Sequence, residues 1–132
     1  MLGYRFKVGK LIRDKLPSIM RDQGLRVFEH SMDDEAFEAA LRAKLIEEAA
    51  EAQSAQTQTD LAHELADLQE VILALASFHG LSAQDVEAVR LEKRRARGGF
   101  DGRIFNAAVE ADLGLPAANY YLSRPEQYPQ DT

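Results

Sequence analysis

Apolar residues recur with helical spacing along most of the chain, and glycine and proline separate the periodic segments. Nearly every residue of 33–55 is a good helix former. A bend is expected near Pro17 in the first helix. The sequence predicts helices over residues 11–21, 33–55, 60–79, from Ser82 to the Gly98-Gly99 pair, and a short one over 101–110.

Polar residues mark where several of these helices begin and end. Ser31 and Asp34 have the spacing of a capping box, and so have Ser82 and Asp85. Asp60 is predicted to cap the third helix. Gly80 follows that helix in the position where a glycine commonly ends one.

These elements predict an all-α fold, a bundle of four to five helices with an irregular C-terminal tail. Residues 25–30 alternate only partly, and no segment has a strand pattern strong enough to build a sheet. We expect residues 1–110 to form the helical domain. Residues 111–132 would be a C-terminal extension, either part of the same unit or flexible.

Composition argues against a protein that binds nucleic-acid polymers, spans a membrane or is secreted. The 132 residues carry a net charge of −6, which disfavours binding to a nucleic-acid polymer. No apolar run approaches the roughly 20 residues that cross a bilayer, so no membrane partner is expected. The N-terminal residues lack the continuous apolar region of a secretory signal, and there is no cysteine. A cytoplasmic location is the resulting expectation.

Two glutamates of the second helix lie on its apolar face. If Phe37 defines zero, Leu41 and Leu45 fall at about +40° and +80° around the helix axis. Glu48 then falls at about +20° and Glu51 at about −40°, within or beside the apolar arc. Their i, i+3 spacing places both carboxylates on one side of the helix.

The third helix repeats this arrangement. With Val71 at zero, Glu64 falls at about +20° and Asp67 at about −40°, among apolar residues that include Phe78. The predicted core residues of this helix are Leu65, Leu68, Ile72 and Leu75.

Four carboxylates on interior faces are costly, because a buried ionised group needs a partner and like charges repel. A divalent cation removes both costs, and Mg²⁺ prefers oxygen ligands and bridges carboxylates to phosphates. A single such glutamate usually reaches solvent or pairs with lysine. Two pairs in register favour a metal site made of Glu48, Glu51, Glu64 and Asp67.

Three blocks of sequence resemble a known family. Glu47-Glu48-x-x-Glu51 followed by Glu64-x-x-Asp67 resembles the E-E-x-x-E … E-x-x-D signature of MazG-type all-α NTP pyrophosphohydrolases. The segment from Lys10 to Pro17 resembles the opening of a phosphoribosyl-ATP pyrophosphohydrolase-like subgroup. The third block, Lys93 with Arg97-Gly-Gly-Phe100 and Arg103-Ile104, resembles the end of the same subgroup's pattern. The resemblance covers roughly residues 10–105.

The resemblance implies hydrolysis of the α–β phosphoanhydride bond of a nucleotide, giving a nucleoside monophosphate and pyrophosphate. It implies Mg²⁺, for which Mn²⁺ can substitute, bound by Glu48, Glu51, Glu64 and Asp67. Glu47 would be a further ligand or would orient a water molecule. It also implies a homodimer or homotetramer and a role in cleaning the nucleotide pool.

The expected catalytic residues are Glu47 and Glu48, either of which would accept a proton from water. Lys93, Arg97 and Lys44 are the candidates for binding substrate phosphates, although Lys44 is equally placed for a salt bridge with Glu48. The role of Lys10 and Arg13 is not derivable from the sequence; one interpretation is that they simply pair with acids and fix the N-terminal helix. The open alternatives are phosphoribosyl-ATP hydrolysis in histidine biosynthesis, a metal-binding bundle without hydrolysis, and a non-catalytic protein-interaction module.

Overall fold

The computed structural model describes residues 3–131 and contains five helices and no strand among them. This confirms the all-α prediction. The chain forms two compact units, Met1–Ala96 and Arg97–Thr132. The helices are α1 (Leu16–Asp22), α2 (Asp34–Ser54), α3 (Gln58–Phe78), α4 (Ala83–Arg97) and α5 (Ala118–Leu122).

The first helix is shorter than predicted. It begins at Leu16 rather than at residue 11, with Pro17 in its first turn. Proline is favoured there because its missing N–H needs no helical partner. Pro17 therefore starts the helix instead of bending it, and residues 11–13 have no regular structure.

The caps of α2 and α3 also differ from the prediction. The Asp33 carboxylate accepts a hydrogen bond from the Ala36 amide at 2.9 Å, so Asp33 and not Ser31 caps α2. Thr57 caps α3 by accepting from the Asp60 amide at 3.1 Å. Asp60 lies inside the first turn, where its negative charge suits the positive end of the helix dipole.

The start of α4 matches the prediction. The Ser82 amide donates to the Asp85 carboxylate at 2.8 Å, and the Asp85 amide donates to the Ser82 hydroxyl at 3.0 Å. This reciprocal pair is the predicted capping box. Gly80 has a φ of 75°, as expected for the glycine that ends α3.

Helices α2 and α3 pack against each other as a hairpin, and they are the only helices whose backbones come together in the described part of the first unit. Leu41 and Val71 are buried between them, and Phe37 contacts Phe78 edge to face at 5.7 Å. We call the part of the hairpin near Phe37 and Phe78 its open end, and the part near residues 55–57 its turn end.

The core of α3 is narrower than predicted. Leu65 is 50% exposed and Ile72 is also exposed, whereas Leu68 and Leu75 are half-buried. A two-helix hairpin covers one face of α3, and none of residues 3–131 covers the exposed positions. The single chain thus leaves an apolar stripe on α3 exposed.

The second unit corrects two predictions. Residues 103–111 form no helix, and Arg103 at the start of this segment has a positive φ of 54°, which is outside helical geometry. The tail is not wholly irregular, because it contains α5, whose Tyr120 and Tyr121 pack against Tyr128. The division at residue 110 stays a prediction.

No helix within residues 3–131 combines the length and apolar character needed to span a bilayer. The cytoplasmic location stays a prediction.

Candidate metal centre

Three of the four predicted metal ligands converge near the turn end of the hairpin. Glu48 and Glu51 of α2 and Glu64 of α3 each place one carboxylate oxygen within 4.8 Å of the others. The i, i+3 spacing in α2 brings its two glutamates to the side that meets α3. We call these three residues the acidic cluster.

Two oxygens of the acidic cluster are buried without a protein partner. Glu48 is only 6% exposed, and its Oε2 has no hydrogen-bond partner among the described residues. The Oε2 of Glu64 is in the same state. An unsatisfied buried charged oxygen costs free energy that a divalent cation removes. The cluster is therefore consistent with a divalent metal.

The electrostatics of Glu48 agree with this interpretation. Burial raises the pKa of its carboxyl above the usual 4.5, and the nearby Glu51 and Asp67 carboxylates raise it further. The Lys44 ammonium, 3.5 Å away, opposes this shift only in part. The ionised form of Glu48 is thus destabilised until more positive charge arrives.

Asp67, the fourth predicted ligand, lies beside the acidic cluster rather than within it. Its Oδ1 accepts a hydrogen bond from Nη2 of Arg13 at 2.7 Å. Its charge nevertheless acts on Glu48. One Asp67 oxygen is engaged by Arg13 and the other is not part of that bond, so the carboxylate retains a free oxygen for a cation.

Glu47 is held by a residue from outside the hairpin. Nζ of Lys10 donates to Glu47 Oε1 at 2.7 Å. This hydrogen bond lowers the pKa of Glu47 and raises that of Lys10. Glu47 therefore stays ionised at neutral pH.

The predicted phosphate-binding residues are distributed unevenly. Lys44 lies beside the acidic cluster and forms the i, i+4 salt bridge with Glu48 that the sequence allowed. Lys93 lies on α4, whose residues in the first unit do not pack on the hairpin, and Arg97 is the last residue of that helix. Their role in phosphate binding stays a prediction.

Lys10 and Arg13 are the residues that sequence reasoning left without a role. They contact acids 37 and 54 positions away, and no local spacing rule reports such pairs. The sequence signal was the apolar pair Leu11-Ile12 between them; the structure has both side chains half-buried, which indicates a segment held against the protein. Together with Lys44, these two cations bring three positive charges to five carboxylates, those of the acidic cluster, Glu47 and Asp67. If all five are ionised, two negative charges remain, which one divalent ion would balance.

Residues 14–95 match the model of the family described as phosphoribosyl-ATP pyrophosphohydrolase. No curated protein and no solved structure matches the chain.

Proposed function

Because this chain belongs to the phosphoribosyl-ATP pyrophosphohydrolase family, a branch of the MazG-like all-α NTP pyrophosphohydrolases, we propose that it hydrolyses nucleoside triphosphates with Mg²⁺. The reaction cleaves the α–β phosphoanhydride bond and releases a nucleoside monophosphate and pyrophosphate. Membership alone makes the chain a pyrophosphohydrolase, an enzyme acting on acid anhydrides. The bond, the ion and the removal of aberrant nucleotides as its role are our proposal.

The observation that carries the proposal is the buried, unpartnered Oε2 of Glu48 beside Glu51 and Glu64. A helical module with a merely solvated acidic face would have its carboxylates in water. Here Glu48 is among the few buried side chains of the described residues, and it is charged. Oxygen donors alone, with no sulfur or imidazole in the cluster, suit a hard cation such as Mg²⁺.

The acidic cluster and Asp67 would hold the ion, which supplies charge neutralisation for the phosphates and activation of a water molecule. Glu47 would take the proton of the attacking water, because Oε2 of Glu48 would be a ligand of the ion and its Oε1 already faces Lys44. Glu47 is ionised at neutral pH and can accept that proton, although the hydrogen bond from Lys10 lowers its pKa and so its basicity. The water oxygen bonds to phosphorus while the α–β anhydride bond breaks and pyrophosphate leaves.

We further propose a homodimer or homotetramer. Several apolar side chains of α3 are exposed in the described part of the chain, among them Leu61, Leu65 and Ile72. A neighbouring subunit that buried them would stabilise the assembly by about 25 cal/mol for each Å² of apolar surface removed from water. Its α4 is a candidate to bring Lys93 and Arg97 to the phosphates. Light scattering on the purified protein tests the assembly.

The description of the matching family supports a second candidate, hydrolysis of phosphoribosyl-ATP. The same acidic cluster would serve either substrate, because both present a triphosphate. The two differ in the group attached to the triphosphate, so the acidic cluster by itself favours neither.

The test is a panel of NTPs, dNTPs, modified nucleotides and phosphoribosyl-ATP with Mg²⁺, Mn²⁺ or a chelator, scoring pyrophosphate against orthophosphate. We expect metal-dependent pyrophosphate release. Orthophosphate alone would show that a different bond is cut. Metal binding with no product would contradict the enzymatic proposal, and preference for phosphoribosyl-ATP would favour the second candidate.

A further inference from the structure

The segment Lys10–Arg13 connects the two helices that carry the site. Lys10 pairs with Glu47 of α2 and Arg13 pairs with Asp67 of α3, each at 2.7 Å. Between them Leu11 and Ile12 are half-buried. The segment thus lies against both helices, with one cation on each.

Both cations retain unused donors and access to solvent. The side chains of Lys10 and Arg13 are 53% and 58% exposed. An ammonium has three N–H donors and a guanidinium has five, and each side chain spends one in its ion pair. Several donors therefore remain for a ligand that arrives from solvent.

Lys10 also acts on the acidic cluster itself. The charges of Glu51 and Glu48, besides that of Glu47, favour its protonated form. Lys44, the other lysine beside the cluster, is largely buried against Glu48. Lys10 and Arg13 are the exposed cations that this unit places next to both Glu47 and Asp67.

A triphosphate bound at the cluster through a divalent ion brings more negative charge than that ion neutralises. Phosphate oxygens accept strongly from ammonium and guanidinium groups. We propose that Lys10 and Arg13 bind the phosphate chain of the nucleotide, so that the segment Lys10–Arg13 is a substrate-binding element. This inference rests on the proposed function, since it needs a phosphorylated substrate at the cluster.

Two ion pairs on the surface would by themselves contribute little to stability. These two pairs differ from ordinary surface pairs in their position, because Lys10 and Arg13 contact the two acids that flank the acidic cluster, Glu47 and Asp67. The ion pairs hold the two cations ready beside the site before a nucleotide arrives. Preorganised donors lose less freedom on binding, which favours affinity.

The experiment measures binding by calorimetry in Lys10→Gln and Arg13→Gln. The probes are the Mg²⁺ complex of an α,β-methylene nucleoside triphosphate, which resists cleavage, and the matching monophosphate. Arg21→Gln is the matched control, because Arg21 also makes an exposed 2.7 Å ion pair, with Glu29, away from the cluster. Mn²⁺ binding without nucleotide, followed by electron paramagnetic resonance, reports on the metal site separately.

We expect each variant to bind the triphosphate analogue about tenfold more weakly, the loss of one charge-assisted hydrogen bond. Monophosphate binding should fall less, and Mn²⁺ binding should not weaken. Arg13→Lys, which keeps the charge, should recover part of the affinity. The control should bind like the wild type.

Equal losses for triphosphate and monophosphate, or weakened Mn²⁺ binding in the same variants, would make the pairs structural and overturn the inference. Wild-type affinity for the analogue in both variants would overturn it while leaving the proposed function intact. If the wild-type protein releases no pyrophosphate from any nucleotide and binds no analogue, the proposed function falls and this inference falls with it.

Discussion

The interior face of the α2–α3 hairpin is apolar at one end and acidic at the other. At the open end, Phe37 packs on Phe78, and Leu41 and Val71 are buried. At the turn end, carboxylates occupy the equivalent positions of the helical repeat. Each buried aliphatic or aromatic side chain contributes about 1.5–3 kcal/mol to folding, whereas an unpartnered buried carboxylate opposes it. The open end thus stabilises the hairpin, and the turn end is explained by the cation it would bind.

The largest expected effect comes from removing one charge at the turn end. We predict that Glu48→Gln and Asp67→Asn lower pyrophosphate release by about 100- to 1,000-fold, the range for a group that holds or orients a catalytic charge. The folded protein should persist, because Gln and Asn keep the shape of the side chain. Steady-state kinetics with Mg²⁺ and a melting curve measure both quantities.

Glu38→Gln is the matched control for this prediction. Glu38 lies on the same helix as Glu48, but it pairs with Arg42 and His79 near the open end. The same chemical change there should leave turnover at the wild-type level. Wild-type turnover in Glu48→Gln would mean that the buried carboxylate has no catalytic part.

The next effect is on stability and belongs to the open end. Leu41→Ala should lower the free energy of unfolding by about 2–5 kcal/mol, because it leaves a cavity between the helices. Ile46→Ala, at an exposed position of the same helix, should change it by no more than about 0.5 kcal/mol. Urea denaturation compares the two variants. Equal values would show that the α2–α3 contact does not hold the chain together.

This contrast between the ends could be predicted from the sequence because it follows from helical periodicity. The 100° rotation per residue put Glu48 beside Leu41 and Glu64 beside Val71, and the structure has those residues on facing surfaces. Ser31 and Asp33 compete for one cap within three residues, and a local pattern does not decide between them.

That Lys10 and Arg13 pair with acids was one interpretation of the sequence, but their partners Glu47 and Asp67 could not be predicted. These partners depend on how a non-helical segment folds back over the hairpin. The helix expected over 101–110 failed for a different reason. The prediction used only the helix propensity of the local residues, and the positive φ of Arg103 is incompatible with a helix through that position. The exposure of Leu65 was also beyond local rules, because the sequence predicts an apolar stripe but not whether this chain covers it.

A smaller effect is expected from pH at the turn end. Burial, the main cause, raises the folded-state pKa of Glu48 above its usual 4.5, so the folded protein binds this proton more tightly than the unfolded chain. Metal-free stability therefore falls as pH rises from about 4.5 through the folded-state pKa. We predict that the stability advantage of metal-free Glu48→Gln over the wild type grows across that window and then levels off. Denaturation in chelator at a series of pH values measures it.

The smallest effect is the opposite pH dependence at the open end. Hydrogen bonds from Arg42 first, and then from His79, lower the folded-state pKa of Glu38 below 4.5. The ionised carboxylate then stabilises the fold above the unfolded value, and this contribution is lost as pH falls through the folded-state pKa. Glu38→Gln should melt below the wild type near neutral pH by a few degrees at most, because the pair is exposed and screened. The difference should vanish in acid. One substitution, made at two positions of α2, would then give stability differences of opposite sign. The same sign at both positions would mean that the two ends are electrostatically alike.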